Sequence, residues 1–185
     1  MDQDARFHAL IDEGLAASQA DRRQAALELF TQASELCPSS GIPHFLIGSE
    51  LAAAGDMAAA EEAFANAVLL APDFVLARYQ LGLLQFSGGR VAMALVTWEP
   101  LHALPDGQSL GQFVRGFAAL AQGQCQEALE HFQAGQTCPD ANIAVAFDIV
   151  LVMNALQRLG DAQEPPAPDA DGGHVLLAAY ARGLH

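Results

Sequence analysis

Lysine is absent from this 185-residue chain, and all eight of its basic residues are arginines. Together with 22 acidic residues they give a formal net charge of -14 at pH 7. Nucleic acids and anionic membranes attract proteins through Lys and Arg, so this charge balance argues against both as partners. It favours partners that are neutral or basic. The absence of lysine from an alanine-rich chain is also typical of a GC-rich bacterial genome.

Cysteine is scarce, since the chain has only Cys37, Cys125 and Cys138. An odd number without C-x-x-C spacing predicts no disulfide framework and indicates a reducing compartment. The N-terminal sequence MDQDARFHALIDEG carries acids where a signal peptide needs basic residues. No apolar run reaches the roughly 18 residues of a membrane helix. We therefore expect a cytoplasmic protein, and the hydrophobic content of 52% argues against global disorder.

A period of 34 residues organises most of the chain. Each unit carries a glycine, then an alanine, an aromatic residue and a proline at recurring distances. The glycines are Gly14, Gly48, Gly82 and Gly116, the alanines Ala26, Ala60, Ala94 and Ala128, the aromatic residues Phe30, Phe64, Trp98 and Phe132, and the prolines Pro38, Pro72, Pro105 and Pro139. A period of this length indicates a row of similar helical or strand-containing units.

This pattern resembles the tetratricopeptide repeat family, in which each repeat is an antiparallel pair of helices. The resemblance implies an all-α fold, a right-handed α-solenoid of four helix pairs with units at 7–40, 41–74, 75–108 and 109–142. The glycine at position 8 and the alanine at position 20 of each unit let two helices approach closely, and the aromatic residue at position 24 fills the adjacent space. Gly55, Gly88-Gly89 and Gly123 separate the paired helices, and the prolines end the second helices.

Three further segments follow the repeats. The helical apolar pattern of residues 141–159 predicts a cap helix, so the predicted solenoid domain covers residues 1–161. Residues 162–173 are rich in proline and glycine and predict an extended linker. Residues 174–185 contain Val175, Leu176, Leu177 and Tyr180 and predict a tail helix, which is too short to be stable alone in water.

The resemblance also implies a concave groove lined by the first helix of each pair. If positions 7, 8 and 11 pack on the second helix, positions 2, 5, 9 and 12 face this groove. The candidate groove residues are Ile11, Leu15, Phe45, Ser49, Tyr79, Leu83, Phe86, Phe113, Phe117 and Leu120. Such an apolar surface indicates an interaction site if it is open, whereas burial between neighbouring helices is the alternative. The groove lacks the Lys, Asn and Arg with which some family members hold a peptide C-terminus.

Catalytic signals are weak, and we predict no catalytic residue, metal or cofactor. The six histidines are scattered and form no H-E-x-x-H or other ligand spacing. Cys125 falls near a helix start but has no base placed beside it, so we interpret it as structural. Arg115 occupies position 7 of the fourth unit, where the family has leucine. We hypothesise that it pairs with Asp148 on the cap helix, because a charge between helices needs a partner.

These observations predict a non-enzymatic adaptor or chaperone-like protein. Its ligand would be a hydrophobic or amphipathic helical segment of another protein, laid in the groove. The acidic exterior would steer a basic partner while apolar contacts supply affinity. The alternative is a self-associating structural protein, in which the tail helix occupies the groove or mediates a homodimer.

Overall fold

The computed structural model describes residues 3–161, and the regular structure in this range is entirely helical. The helices are α1 (Gln3–Gln19), α2 (Arg23–Leu36), α3 (Gly41–Ala53), α4 (Met57–Leu70), α5 (Val75–Ser87), α6 (Val91–Trp98), α7 (Ser109–Ala121), α8 (Cys125–Gln136) and α9 (Ile143–Asp161), with a 3-10 helix over Glu99–Ala103. The predicted all-α class is therefore confirmed for this range. The predicted linker 162–173 and tail helix 174–185 lie outside the described residues.

Glycines set the spacing within three helix pairs, α1 with α2, α3 with α4, and α7 with α8. A methyl group added at Gly48 would lie 2.7 Å from Cδ1 of Phe64. At Gly116 it would lie 2.5 Å from Cε1 of Phe132. Real Cβ atoms do not approach a neighbour so closely, so the aromatic ring of the second helix occupies the space that a side chain on the first helix would need.

The turns between paired helices share one left-handed residue, again at intervals of 34. Gly55 has φ 85°, Gly89 has φ 77° and Gly123 has φ 76°. In the first pair the same position is Asp21, with φ 56°. Aspartate is one of the few residues other than glycine that adopts this conformation routinely, so the turn geometry persists where the glycine is missing.

The described residues divide into two compact units, unit 1 as far as Leu84 and unit 2 from Gln85 onward. One cluster of the unit 1 core forms around Phe30, and another forms around Phe64 and Leu81. The core of unit 2 includes Trp98 and Phe132. The sequence predicted one solenoid domain over residues 1–161 and did not indicate this division, because the 34-residue period runs through α5 without interruption.

The second helix of the third pair is shorter than expected. The sequence predicted a helix that continues to Pro105, whereas α6 ends at Trp98 and the 3-10 helix follows. Pro100 explains the early end, because proline has no backbone N–H to donate to the carbonyl one turn earlier and its ring crowds that turn. The 3-10 helix still contributes to the core through Leu101, which is buried.

Candidate functional site

The ten predicted groove residues fall into two groups in the structure. Leu15 is exposed, and Ile11, Phe45, Ser49 and Leu83 are half-buried. The side chains that are buried are Tyr79, Phe86, Phe113, Phe117 and Leu120. These five side chains are therefore buried between helices, which was the alternative to an open groove in the sequence analysis. None of them presents an open surface to a partner.

Phe113 and Phe117 show why the assignment of faces was wrong. Phe113, at position 5 of its unit, packs directly over Gly135 of α8, so position 5 faces the second helix of the same pair. The ring centroid of Phe117 lies 5.1 Å from that of Phe132 and 5.2 Å from that of Trp98. Position 9 therefore points into an aromatic cluster, whereas residue spacing alone had placed both positions in the groove.

The exposed groove positions lie on the first helices of unit 1. Leu15 of α1 is 38% exposed, and Ile42 of α3 is 46% exposed. Ile42 occupies position 2 of the second repeat, residues 41–74. Position 2 was expected to face the groove, although Ile42 was not among the candidate residues. With the half-buried Ile11, Phe45 and Ser49 these side chains form what we call the unit 1 face, defined as Ile11, Leu15, Ile42, Phe45 and Ser49.

Polar contacts hold the two helices of the unit 1 face together. The hydroxyl of Ser18 on α1 donates a hydrogen bond to Oε1 of Glu50 on α3. Oε2 of the same carboxylate lies 3.8 Å from Nε of Arg23. The hydroxyl of Ser49 donates to the backbone carbonyl of Phe45 at 3.0 Å. Because that proton is already engaged within α3, Ser49 can offer a ligand only the acceptor side of its hydroxyl.

A second apolar surface lies on α9, and the sequence analysis did not single it out. Val145, Ile149 and Met153 of this helix are buried. The opposite side, which we call the α9 face, consists of Ile143, Phe147, Val150 and Leu151, with exposures of 88%, 63%, 40% and 46%. Within the described residues no other helix exposes more than two large apolar side chains. The pattern was visible in the sequence, because α9 is apolar on two sides rather than one.

The predicted ion pair between Arg115 and Asp148 is wrong. Nη1 of Arg115 donates to Oδ1 of Asp106 at 2.9 Å. Nη2 donates to the backbone carbonyls of Leu104 at 2.7 Å and His102 at 3.2 Å. The loop that precedes α7 therefore satisfies this guanidinium locally. Asp148 lies on the exposed side of α9, where partial burial raises the pKa of its carboxyl group.

Side chains of types that can take part in catalysis come together at the start of α8. A shallow pocket there is lined by Cys125, Glu127, Glu130 and His131 among others. The imidazole Nδ1 of His131 is hydrogen-bonded to the side-chain oxygen of Gln112 at 2.9 Å. In residues 3–161 no group of three or more His, Cys, Asp or Glu could hold a metal ion. We assign no reaction to this pocket, because nucleophilic catalysis needs a base oriented on the nucleophile.

None of the described helices combines the length and hydrophobicity that crossing a lipid bilayer requires.

Comparison with known families agrees with the geometry of the helix pairs. Residues 45–99 match the model of the tetratricopeptide repeat family. Over these residues the chain is similar to tetratricopeptide repeats. The match covers most of α3 and all of α4, α5 and α6. It includes the close packing of Phe64 on Gly48. No curated protein sequence matches the chain.

Solved structures with tetratricopeptide repeats share this fold at low sequence identity. PilF of Pseudomonas aeruginosa aligns with a TM-score of 0.64 and 17% identity, over 98% of this chain and 78% of PilF. MamA of Desulfovibrio magneticus RS-1 aligns with a TM-score of 0.63 and 14% identity, over 97% and 93% of the two chains. YrrB, described as a repeat protein with an unusual peptide-binding site, aligns with a TM-score of 0.58 and 16% identity, over 95% and 83%. At these identities the likeness establishes the fold.

Proposed function

We propose that this protein is a non-enzymatic protein–protein interaction module, adaptor or chaperone-like in its action, that binds an apolar or amphipathic helical segment of another protein. The observation that carries the proposal is the exposure of Leu15 and Ile42 on the first helices of unit 1. Exposed apolar side chains on adjacent helices form a surface on which a helix can lay its own apolar stripe. The half-buried Ile11 and Phe45 pack against the core clusters around Phe30 and Phe64 and support that surface from below.

The charge of the protein supports a partner with basic residues beside its apolar stripe. Asp12 and Glu13 are exposed on α1 next to Leu15 in the sequence. The whole chain carries a net charge of -14. Such a field accelerates encounter with a basic partner, while burial of apolar surface supplies most of the affinity. The description of YrrB as a peptide-binding protein is consistent with a peptide ligand here. The predicted cytoplasmic location stays a prediction.

Selection of peptides from a displayed random library, with the full chain as bait, tests the proposal. We expect the selected peptides to carry apolar residues at intervals of three and four, with Arg or Lys between them. A Leu15→Asp substitution should weaken their binding by roughly tenfold or more, because it places a charge in the apolar contact. Leu69→Asp is the matched control, since Leu69 is 76% exposed on α4, outside the unit 1 face.

Two results would reject the proposed site. One is a set of selected peptides that bind the Leu15→Asp protein as tightly as the unmodified chain. The other is an equal loss of binding in the Leu69→Asp protein, because that would attribute the effect to added negative charge and not to the unit 1 face. Circular dichroism of both variants would establish that each retains its helical content.

Self-association is the second candidate function, and the α9 face is the observation that bears on it. A symmetric dimer forms when the same surface of two copies is self-complementary, and an exposed apolar helix surface can meet that requirement. Light scattering of the full chain tests this candidate directly. A mass near 19.5 kDa, that of one chain, would reject a stable dimer.

A further inference from the structure

We propose that residues 174–185 dock as a helix on the α9 face of the same chain and complete a fifth helix pair. The proposed occupant is thus a segment of the protein itself and not a second copy or another protein. This goes beyond the proposed function, because it concerns a different surface from the unit 1 face. Three observations carry it, namely the register of α9, the sequence of the tail and the length of the linker.

The register shows that the α9 face is the side on which a second helix packs. In the fourth pair, Phe113 and Gly116 of α7 contact Gly135 and Phe132 of α8. The residues 34 positions after Phe113 and Gly116 are Phe147 and Val150 (113 + 34 = 147 and 116 + 34 = 150). Phe113 is completely buried, whereas Phe147 at the equivalent position is 63% exposed. Helix α9 therefore exposes the surface with which its counterpart α7 holds α8.

The tail has the sequence of a second helix for this surface. In α8 the aromatic Phe132 is followed three residues later by Gly135. In the tail Tyr180 is followed at the same distance by Gly183. This glycine would allow an aromatic ring of the first helix, Phe147 in α9, to pack over it as Phe113 packs over Gly135.

The two departures from the repeat pattern compensate each other. Val150 stands where the first helices of the other pairs have glycine, so a second helix cannot approach α9 as closely. The residue four positions before the aromatic is Ala128 in α8 but Leu176 in the tail. A larger side chain at this position fills the wider gap that Val150 imposes, because well-packed helices leave no void between them.

The linker is long enough for docking within one chain. Its twelve residues, 162–173, span up to about 40 Å when extended, whereas α9, with 19 residues, is about 28 Å long. The tail can therefore reach every part of the α9 face. A tether of this length gives an effective concentration in the millimolar range, which favours the attached tail over a second copy at micromolar protein concentration.

Site-specific photocrosslinking in the full chain tests the proposal. A photoreactive benzoylphenylalanine is introduced at Phe147, and the crosslinked peptides are identified by mass spectrometry after illumination. We expect a crosslink to residues 174–185 in a product that keeps the mass of one chain. The matched control carries the same probe at Leu69, which is exposed on α4, and should give no such crosslink.

Hydrogen exchange of α9 provides an independent readout in a Tyr180→Asp protein. Loss of the docked helix should accelerate amide exchange in residues 145–153 by roughly tenfold, because the open state of α9 becomes more populated. Ala167→Asp adds the same charge within the linker and should leave this exchange unchanged.

The proposal requires both results. A crosslinked product with the mass of two chains would assign the α9 face to a second copy, and the absence of a crosslink to residues 174–185 would exclude the tail as its occupant. Unchanged exchange in the Tyr180→Asp protein would also overturn the proposal. None of these outcomes affects peptide binding at the unit 1 face, which the Leu15→Asp variant measures separately.

Discussion

Replacing Phe117 by alanine is expected to destabilise unit 2 by about 3–5 kcal/mol. The side chain is completely buried, and its ring centroid lies 5.1 Å from Phe86, 5.2 Å from Trp98 and 5.1 Å from Phe132. Its removal leaves a cavity lined by three rigid rings, which cannot collapse as flexible side chains do. The three aromatic pairs that are lost contribute to this cost together with the loss of buried area, so we expect a value of about 4 kcal/mol or more.

Urea unfolding followed by tryptophan fluorescence measures this effect. Trp98 is the only tryptophan of the chain and stacks on Phe117 with an interplanar angle of 26°, so its emission reports on unit 2. For a slope of about 2 kcal/mol per molar urea, a loss of about 4 kcal/mol lowers the midpoint by about 2 M.

The matched control is Leu15→Ala, because Leu15 was assigned to the same groove and is exposed in the structure. We expect it to cost less than about 1 kcal/mol. A loss below about 1 kcal/mol for Phe117→Ala as well would refute our reasoning. It would show that Phe117 belongs to a surface and not to the core, as the open-groove reading of the sequence requires.

Three further predictions follow from the described contacts. Gly116→Ala should lower the urea midpoint and cost about 1–3 kcal/mol through overpacking, despite a gain of up to about 1 kcal/mol in helix propensity. Gly107→Ala is the control and should be nearly neutral, because no atom lies within 4 Å of its new methyl group. Equal effects of the two substitutions would contradict the close approach of the helices. Arg115→Met should cost about 1–3 kcal/mol in thermal unfolding, because it removes two hydrogen bonds to backbone carbonyls. Asp106→Asn should cost less than about 1 kcal/mol, because that carboxylate is 92% exposed. The reverse order would show that the ion pair dominates. The folded protein holds the proton of the Asp148 carboxyl more tightly than the unfolded chain does, so the stability falls as pH rises from about 3.8 through the raised folded pKa. Asp148→Asn should flatten this pH range in a plot of urea midpoint against pH. An unchanged plot would contradict the raised pKa.

The fold class and most helix boundaries could be predicted from the sequence because they depend on local requirements. The first helices of the second, third and fourth units begin at Gly41, Val75 and Ser109, which are the first residues of the predicted units. A left-handed turn needs a residue such as glycine, and these residues recur at the same interval as the core alanines and aromatics. The exception is α6, where Pro100 interrupts a helix that the period alone would have extended.

The candidate site was less predictable, because it depends on which helix covers which face. Phe113 and Leu15 occupy positions that the same rule assigned to the groove, yet one is buried and the other is exposed. The α9 face was not predicted, because the apolar pattern of residues 141–159 indicates a helix but not which of its sides a neighbouring helix covers. The partner of Arg115 was missed because the segment before α7, and not a periodic position, supplies the carbonyl groups that bind it.

The sequence by itself determined that the chain forms helix pairs with a 34-residue period, because glycine, alanine, aromatic and proline residues each act on their own helix or turn. The tertiary structure decided which apolar side chains remain available. Phe117 is enclosed by rings from elements as distant in sequence as Phe86 and Phe132, and no spacing within one helix encodes that enclosure. Exposure is a property of the neighbours that a residue acquires on folding, and for this reason the exposure of Leu15, Ile42 and the α9 face could be established only after the helices were packed.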